Sequence, residues 1–147
     1  MPDTKPLKRW QLVTAAGATG LLAAFFCVWF VWFSDAGYQP PQSVVIDETV
    51  EHRVFAYGTL RFAPLRYLVI GRHERPKPAM LQGFERHGLD IAPHAGGQVN
   101  GVVFTVTAGQ LARLDRYERL DILYRRKNVI LDDGTNAWVY LLIERTP

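Results

Sequence analysis

The sequence predicts an α+β domain: a small, mostly antiparallel sheet with short helices, preceded by one transmembrane helix. Three observations point there. Gln11 to Phe33 runs without a single charged residue, and ~20 such residues span a bilayer core as a helix. Tyr124–Leu131 and Asn136–Ile143 are β-rich runs separated by Asp132-Asp133-Gly134, a hairpin signal. Before these runs lies one segment, Ala108 to Glu118, with helical spacing of its leucines and a capping threonine, Thr107, ahead of it.

The apolar run divides the chain. Residues 1–10 form a tail, 11–33 the membrane helix, 34–49 a linker containing Gly37, Pro40 and Pro41, and 50–147 the folded domain. Trp10, Trp29 and Trp32 sit near the ends of the run, where indole rings favour the bilayer interfaces. A cleaved signal peptide has a shorter apolar region, and Phe33-Ser34-Asp35-Ala36 is a poor cleavage site. The run therefore reads as an uncleaved signal anchor; a buried helix of a soluble fold is the competing reading. Lys5, Lys8 and Arg9 precede it, whereas Asp35, Asp47, Glu48 and Glu51 follow before the next cation, Arg53. Positive flanks stay inside. The expected arrangement is single-pass in the inner membrane, with the N-terminus cytoplasmic and the domain outside, in a bacterium the periplasm. Ala16, Gly20 and Ala24 recur on one helix face and could let two copies approach as a homodimer. A small-residue helix facing lipid is the simpler reading of the same residues.

Composition excludes several classes. With 17 basic and 14 acidic residues and a net charge of +3, and with Lys5, Lys8 and Arg9 lying before the anchor, the domain lacks the basic excess of a nucleic-acid binder. One cysteine, Cys27, rules out an intrachain disulfide. His52, His73, His87 and His94 have no metal-ligand spacing, so no metal is expected. Phosphate-loop, dinucleotide and nucleophile-elbow signatures are absent. Arg72, His73, Arg75 and Lys77 make a basic loop, which could gate an acidic substrate, touch anionic lipid or simply be solvated.

The domain is read in order as a strand Arg53–Tyr57, a helix Pro64–Ile70 closed by Gly71, a loop to Pro78, and a strand Ala79–Phe84. A strand Val99–Val106 follows, with Gly101 marking a bulge or close approach, then the helix and the closing hairpin. Two elements could carry chemistry. Tyr57-Gly58-Thr59-Leu60-Arg61 places a glycine turn between a strand and a short helix. Exposed N–H groups at such a turn can cradle a carboxylate or oxyanion, with a hydroxyl from Thr59 and a cation from Arg61. The second is Glu118. At ~100° per residue it falls between Leu111 and Leu114 on the helical wheel, on the apolar face. A carboxylate there is costly unless partnered, and desolvation would raise its pKa toward that of a base working near neutrality. Pairing with Arg125 or Arg126 at a frayed helix end is the plain alternative. Asp115, ~40° from Leu111 on the same wheel, reads as a boundary residue.

In this order and separation, the elements resemble the gamma-glutamylcyclotransferase-like (avirulence-induced-gene-like) family. Val54-Phe55-Ala56 leads into Tyr57-Gly58-Thr59-Leu60-Arg61, similar to the family's glycine loop. Ala79-Met80-Leu81-Gln82-Gly83-Phe84, Ile91-Ala92-Pro93 and Val99-Asn100-Gly101-Val102-Val103-Phe104 resemble its following segments. Leu114-Asp115-Arg116-Tyr117-Glu118 resembles the helix end holding its catalytic glutamate, and Tyr124-Arg125-Arg126 with Ala137-Trp138-Val139-Tyr140 its closing strands. The resemblance implies a small, β-barrel-like sheet with short helices around one pocket, and a cofactor-free cyclisation of a γ-glutamyl amide to 5-oxoproline with release of an amine. Glu118 would be the base, and Tyr57 to Arg61 would bind a small γ-glutamyl ligand. A ligand-binding or protein-interaction domain keeping the fold is the alternative it allows. Two departures stand out: Arg119 follows the glutamate where the family often has glycine, and Arg61-Phe62-Ala63-Pro64 lacks the glycine or asparagine often found there.

Overall fold

The computed structural model describes residues 19–23, 26–27, 38, 41 and 45–143. Contacts divide the chain into two units, Met1–Tyr38 and Gln39–Pro147. In the first, residues 19–23 and 26–27 are helical. Most of Gln11–Phe33 lies outside the described residues, as do Ala16, Ala24 and the greater part of the linker. Among the described residues no helix is long and apolar enough to cross a membrane.

The second unit is α+β. Its strands are β1 (His52–Ala56), β2 (Lys77–His87), β3 (Asp90–Val106), β4 (Tyr124–Ile130) and β5 (Asn136–Leu142). Its α-helices are α1 (Ala63–Ile70) and α2 (Ala108–Tyr117), and a 3₁₀ turn, Thr59–Arg61, precedes α1. The strands form one sheet in the order β2-β3-β1-β5-β4. Neighbours are antiparallel except β1 and β5, which run parallel through Val54 and Trp138. The sheet is thus mixed, with β1 at its centre and the two hairpins on either side.

The strands of the β2-β3 hairpin are longer than the sequence predicts, and β2 runs on past Phe84 to His87. β2 begins at Lys77 rather than after Pro78, and β3 extends back to Asp90, through a segment the sequence left unassigned. The reason is an irregular hairpin. Gln82 pairs with Gln98 and Phe84 with Pro93, so His94–Gly97 bulges out opposite the single residue Gly83. Gly83 and Gly96 have φ of 77° and 79°, a region that only glycine enters readily. Such bulges bend a strand and increase its twist, which fits a half-barrel rather than a flat sheet. Gly101 is a close approach, as expected: a Cβ there would stand 2.5 Å from the Ala56 carbonyl oxygen and 2.7 Å from the Phe55 ring.

One core cluster gathers Phe55, Tyr57, Leu81, Ile91, Val99, Val139 and Leu141, and Val54 and Ala56, which alternate with Phe55 along β1, are buried too, so the sheet is covered on both faces. Helix α2 docks through Leu111 and Leu114, both fully buried, each worth ~1.5–3 kcal/mol of removed apolar surface. Its start is fixed by a capping box: Thr107 Oγ1 accepts from Gln110 N–H, and Gln110 Oε1 accepts from Thr107 N–H. Gln110 also donates from Nε2 to the Ile70 and Arg72 carbonyls, tying the end of α1 to the start of α2.

Candidate active site

Strand β1 delivers Tyr57 and Gly58 to the edge of the core, and α2 ends on Glu118 beside them. Tyr57, Gly58, Thr59, Leu60 and Glu118 line one cavity of about 60 Å³, together with Leu89, Tyr124 and Tyr140. That volume takes a few waters or the compact head of a small ligand, since one water needs ~10–15 Å³ of such space.

The floor is the start of the 3₁₀ turn. Its first hydrogen bonds are Arg61 N–H to the Gly58 carbonyl, 3.1 Å, and Phe62 N–H to the Thr59 carbonyl, 3.0 Å. The N–H groups of Thr59 and Leu60 come before the first of these and so have no helical partner. Gly58 has φ of −102° and ψ of −137°, neither helical nor extended, so the turn does take an unusual backbone conformation at this glycine. A Cβ at Gly58 would meet no heavy atom within 4 Å. Glycine here leaves open space on the cavity side rather than relieving a clash. Tyr57 is buried, and its hydroxyl donates to the Tyr140 carbonyl at 2.7 Å. Its polar atom is therefore committed to the scaffold, and only its ring lines the cavity.

Arg61 is exposed and lines an adjoining open groove with Phe62 and Arg86, a groove that shares Tyr57, Gly58 and Thr59 with the cavity.

Glu118 is the capping residue of α2, and its backbone N–H bonds back to Leu114. Its carboxylate makes no hydrogen bond or ion pair with the described residues. Burial alone pushes its pKa up, from an ordinary 4.5 to about 7. The alternative partner, Arg126, is occupied elsewhere: its Nη1 donates to both oxygens of Asp115 at 2.9 and 2.7 Å. Asp115 is thus no boundary residue. It is buried, and it also accepts from the Tyr140 hydroxyl at 2.6 Å. The wheel placed it on the apolar side without showing that a cation and a phenol from β4 and β5 would meet it there.

Helix α2 ends in a Schellman motif. Leu120 N–H bonds the Asp115 carbonyl and Arg119 N–H the Arg116 carbonyl, with Arg119 at φ 50°. The left-handed position explains the expected glycine: a side chain there costs roughly 1–2 kcal/mol. The departure at Arg119 therefore concerns how the helix stops, not what Glu118 can do. Arg119→Gly should raise the unfolding free energy by ~0.5–1 kcal/mol once glycine's extra entropy cost is included, seen as a higher urea midpoint with an unchanged m-value. A lowered midpoint would mean that the arginine's own contacts outweigh its backbone strain.

Sequence reasoning missed Leu89, Tyr124 and Tyr140 as cavity walls. Burial raises the pKa of the Tyr124 phenol, with a smaller contribution from the nearby Glu118 charge. Strand alternation alone does not say which tyrosines reach an acid on a different element. No cluster of potential metal ligands occurs among the described residues.

A curled mixed sheet and short helices, with a buried acid and a glycine turn lining one cavity, define an α+β half-barrel with a small pocket between Glu118 and the turn. Residues 54–147 match the family described as "Gamma-glutamyl cyclotransferase, AIG2-like". The chain belongs to that family. It is 32% identical over 102 residues to a Vibrio cholerae protein named "Putative gamma-glutamylcyclotransferase", covering 65% of this chain and 85% of that one. It is 35% identical over 83 residues to AIG2-like protein C of Arabidopsis thaliana, where the match spans 52% of this chain and about half, 47%, of the relative. An Arabidopsis thaliana solution structure superposes with a TM-score of 0.57 at 26% identity, over 69% of this chain and 74% of that one. A structure titled "Gamma-glutamyl cyclotransferase" shares the fold, with a TM-score of 0.54 at 20% identity over 64% and 68% of the two chains.

Proposed function

We propose that the domain is a cofactor-free gamma-glutamyl cyclotransferase. One observation carries this reading: Glu118, desolvated and free of any salt bridge among the described residues, shares a small cavity with the bare N–H groups at the start of the 3₁₀ turn. The α-amine of a γ-glutamyl group attacks its own side-chain amide carbonyl, and a C–N bond forms while the carbonyl oxygen becomes negative. Nucleophile and electrophile are parts of one molecule, so the cavity chiefly holds the reactive conformer. Glu118 takes a proton from the attacking ammonium and passes it to the departing nitrogen. The N–H groups of Thr59 and Leu60 stabilise the oxyanion. The old amide C–N bond then breaks, giving 5-oxoproline and a free amine. Tyr57, Gly58 and Leu60 shape the space, and Arg61 faces the groove beyond it.

The test is release of 5-oxoproline by the purified chain from a panel of γ-glutamyl amines and peptides. Turnover by wild type, with loss in Glu118→Gln, is the expected result. Thermal stabilisation by these compounds without any turnover would instead mark a binding domain.

The uncharged run Gln11–Phe33 supports an anchor in the inner membrane, with the domain on the periplasmic side in a bacterium and the Ala16, Gly20, Ala24 face available for a dimer. Protease added to spheroplasts should digest the domain; complete protection would sink this orientation.

A further inference from the structure

Arg66, on α1, is 4% exposed, and no carboxylate among the described residues pairs with it. Burying a guanidinium without a counter-charge is expensive unless its hydrogens are well used. Its Nη1 donates to the Leu60 carbonyl at 2.7 Å and to the Arg61 carbonyl at 3.1 Å. Its Nε donates to His73 Nε2 at 2.7 Å. That bond makes Nε2 an acceptor, so the imidazole proton sits on Nδ1, which donates to the Gly71 carbonyl at 2.9 Å. The Phe104 ring lies under both side chains, 5.4 Å from the guanidinium carbon and 5.7 Å from the imidazole centroid. Every one of these contacts fixes the plane of the guanidinium.

The bonds line up with the cavity floor. The Leu60 carbonyl, held by Arg66, shares a peptide group with the Arg61 N–H. That N–H donates to the Gly58 carbonyl, which in turn shares a peptide group with the Thr59 N–H. Gly58 and Thr59 line the cavity. A buried positive charge thus stands at one end of two hydrogen-bonded peptide groups, and the Thr59 N–H stands at the other. Hydrogen bonds in such a chain polarise one another.

We propose that Arg66 is a positioning residue, which holds the Gly58–Arg61 turn in place and, through two peptide groups, polarises the Thr59 N–H that faces the developing oxyanion. This rests on the cyclotransferase reading for its kinetic consequence, but not for the relay itself. The fork matters as well as the charge, because one lysine nitrogen cannot serve two carbonyls and His73 in the same plane.

The experiment compares the full chain as wild type, Arg66→Lys and Arg66→Gln. It reads kcat and KM for 5-oxoproline release and the amide proton shift of Thr59. Arg66→Gln should lower kcat on the order of 10–100-fold, less than outright loss of an oxyanion donor, with KM changed less than about 3-fold. Its Thr59 amide proton should move upfield, and Arg66→Lys should fall between the two. A folded Arg66→Gln with wild-type kcat overturns the proposal, as does Arg66→Lys no better than Arg66→Gln. Should Arg66→Gln not fold, Arg66→Lys decides: a wild-type kcat and Thr59 resonance overturn it. If wild type releases no 5-oxoproline, the reaction reading fails, and the Thr59 shift still tests the relay.

Discussion

Glu118→Gln should make the domain more stable in alkali than wild type, by about 3 kcal/mol at pH 8 to 9, while abolishing turnover. The sign follows from the direction of the shift. Burial raises the Glu118 pKa from 4.5 to about 7, so the folded state holds its proton more tightly than the unfolded chain. The stability this lends is fully present below about 4.5 and is lost as pH rises through about 7. Each unit is 1.36 kcal/mol, which gives roughly 3 kcal/mol. Glutamine has nearly the same shape and never ionises, so it avoids that loss. Urea titrations at pH 4, 6 and 8 should show a gap between the two proteins that opens with pH; a constant gap would mean that Glu118 is not desolvated. In the same series, wild-type kcat/KM should rise with pH through about 7 as the base form appears, and Glu118→Gln should fall on the order of 10²–10⁴-fold. A substitution that strengthens the fold and removes the activity separates a functional acid from a structural one.

This acid was legible because helical spacing alone put it on the leucine face. The turn at Gly58 was legible for a similar reason: a strand, a glycine and a proline-led helix follow one another without interruption. Other features depend on contacts distant in sequence. Nothing local says that β1 pairs in parallel with β5, or that β3 continues through His94–Gly97, where two glycines look like a loop. His73 reads as a loop histidine, yet it fixes Arg66 in the core. Arg61 sits in the same pentad but lines the adjoining groove, because a 3₁₀ turn rotates each successive residue by about a third of a circle.

The most damaging single change away from the cavity should be Asp115→Ala. Arg126 and Asp115 form an ion pair whose side chains are each only 4% exposed, and the guanidinium also lies 4.8 Å from the centre of the Trp138 ring. Removing the carboxylate leaves a buried cation without its partner and the Tyr140 hydroxyl without its acceptor. Loss of one member of such a pair costs about 3–5 kcal/mol. That figure measures the orphaned charge rather than the worth of the pair. Burial pushes the Asp115 pKa up, while the Tyr140 hydroxyl and Arg126 pull it back down, so desolvation and attraction oppose each other. Replacing both charges with apolar side chains, Asp115→Leu with Arg126→Met, should therefore recover much of the lost stability. A double variant as unstable as the single ones would show that the pair is strongly favourable in its own right. Activity should not recover in parallel. Asp115 lies one turn before Glu118, its backbone carbonyl accepts from Leu120 in the motif that ends α2, and Tyr140 lines the cavity. A refilled core would restore the fold but not the hydrogen bond that sets the Tyr140 ring beside the acid. Chemical denaturation and kcat measured on the same three variants separate these two effects.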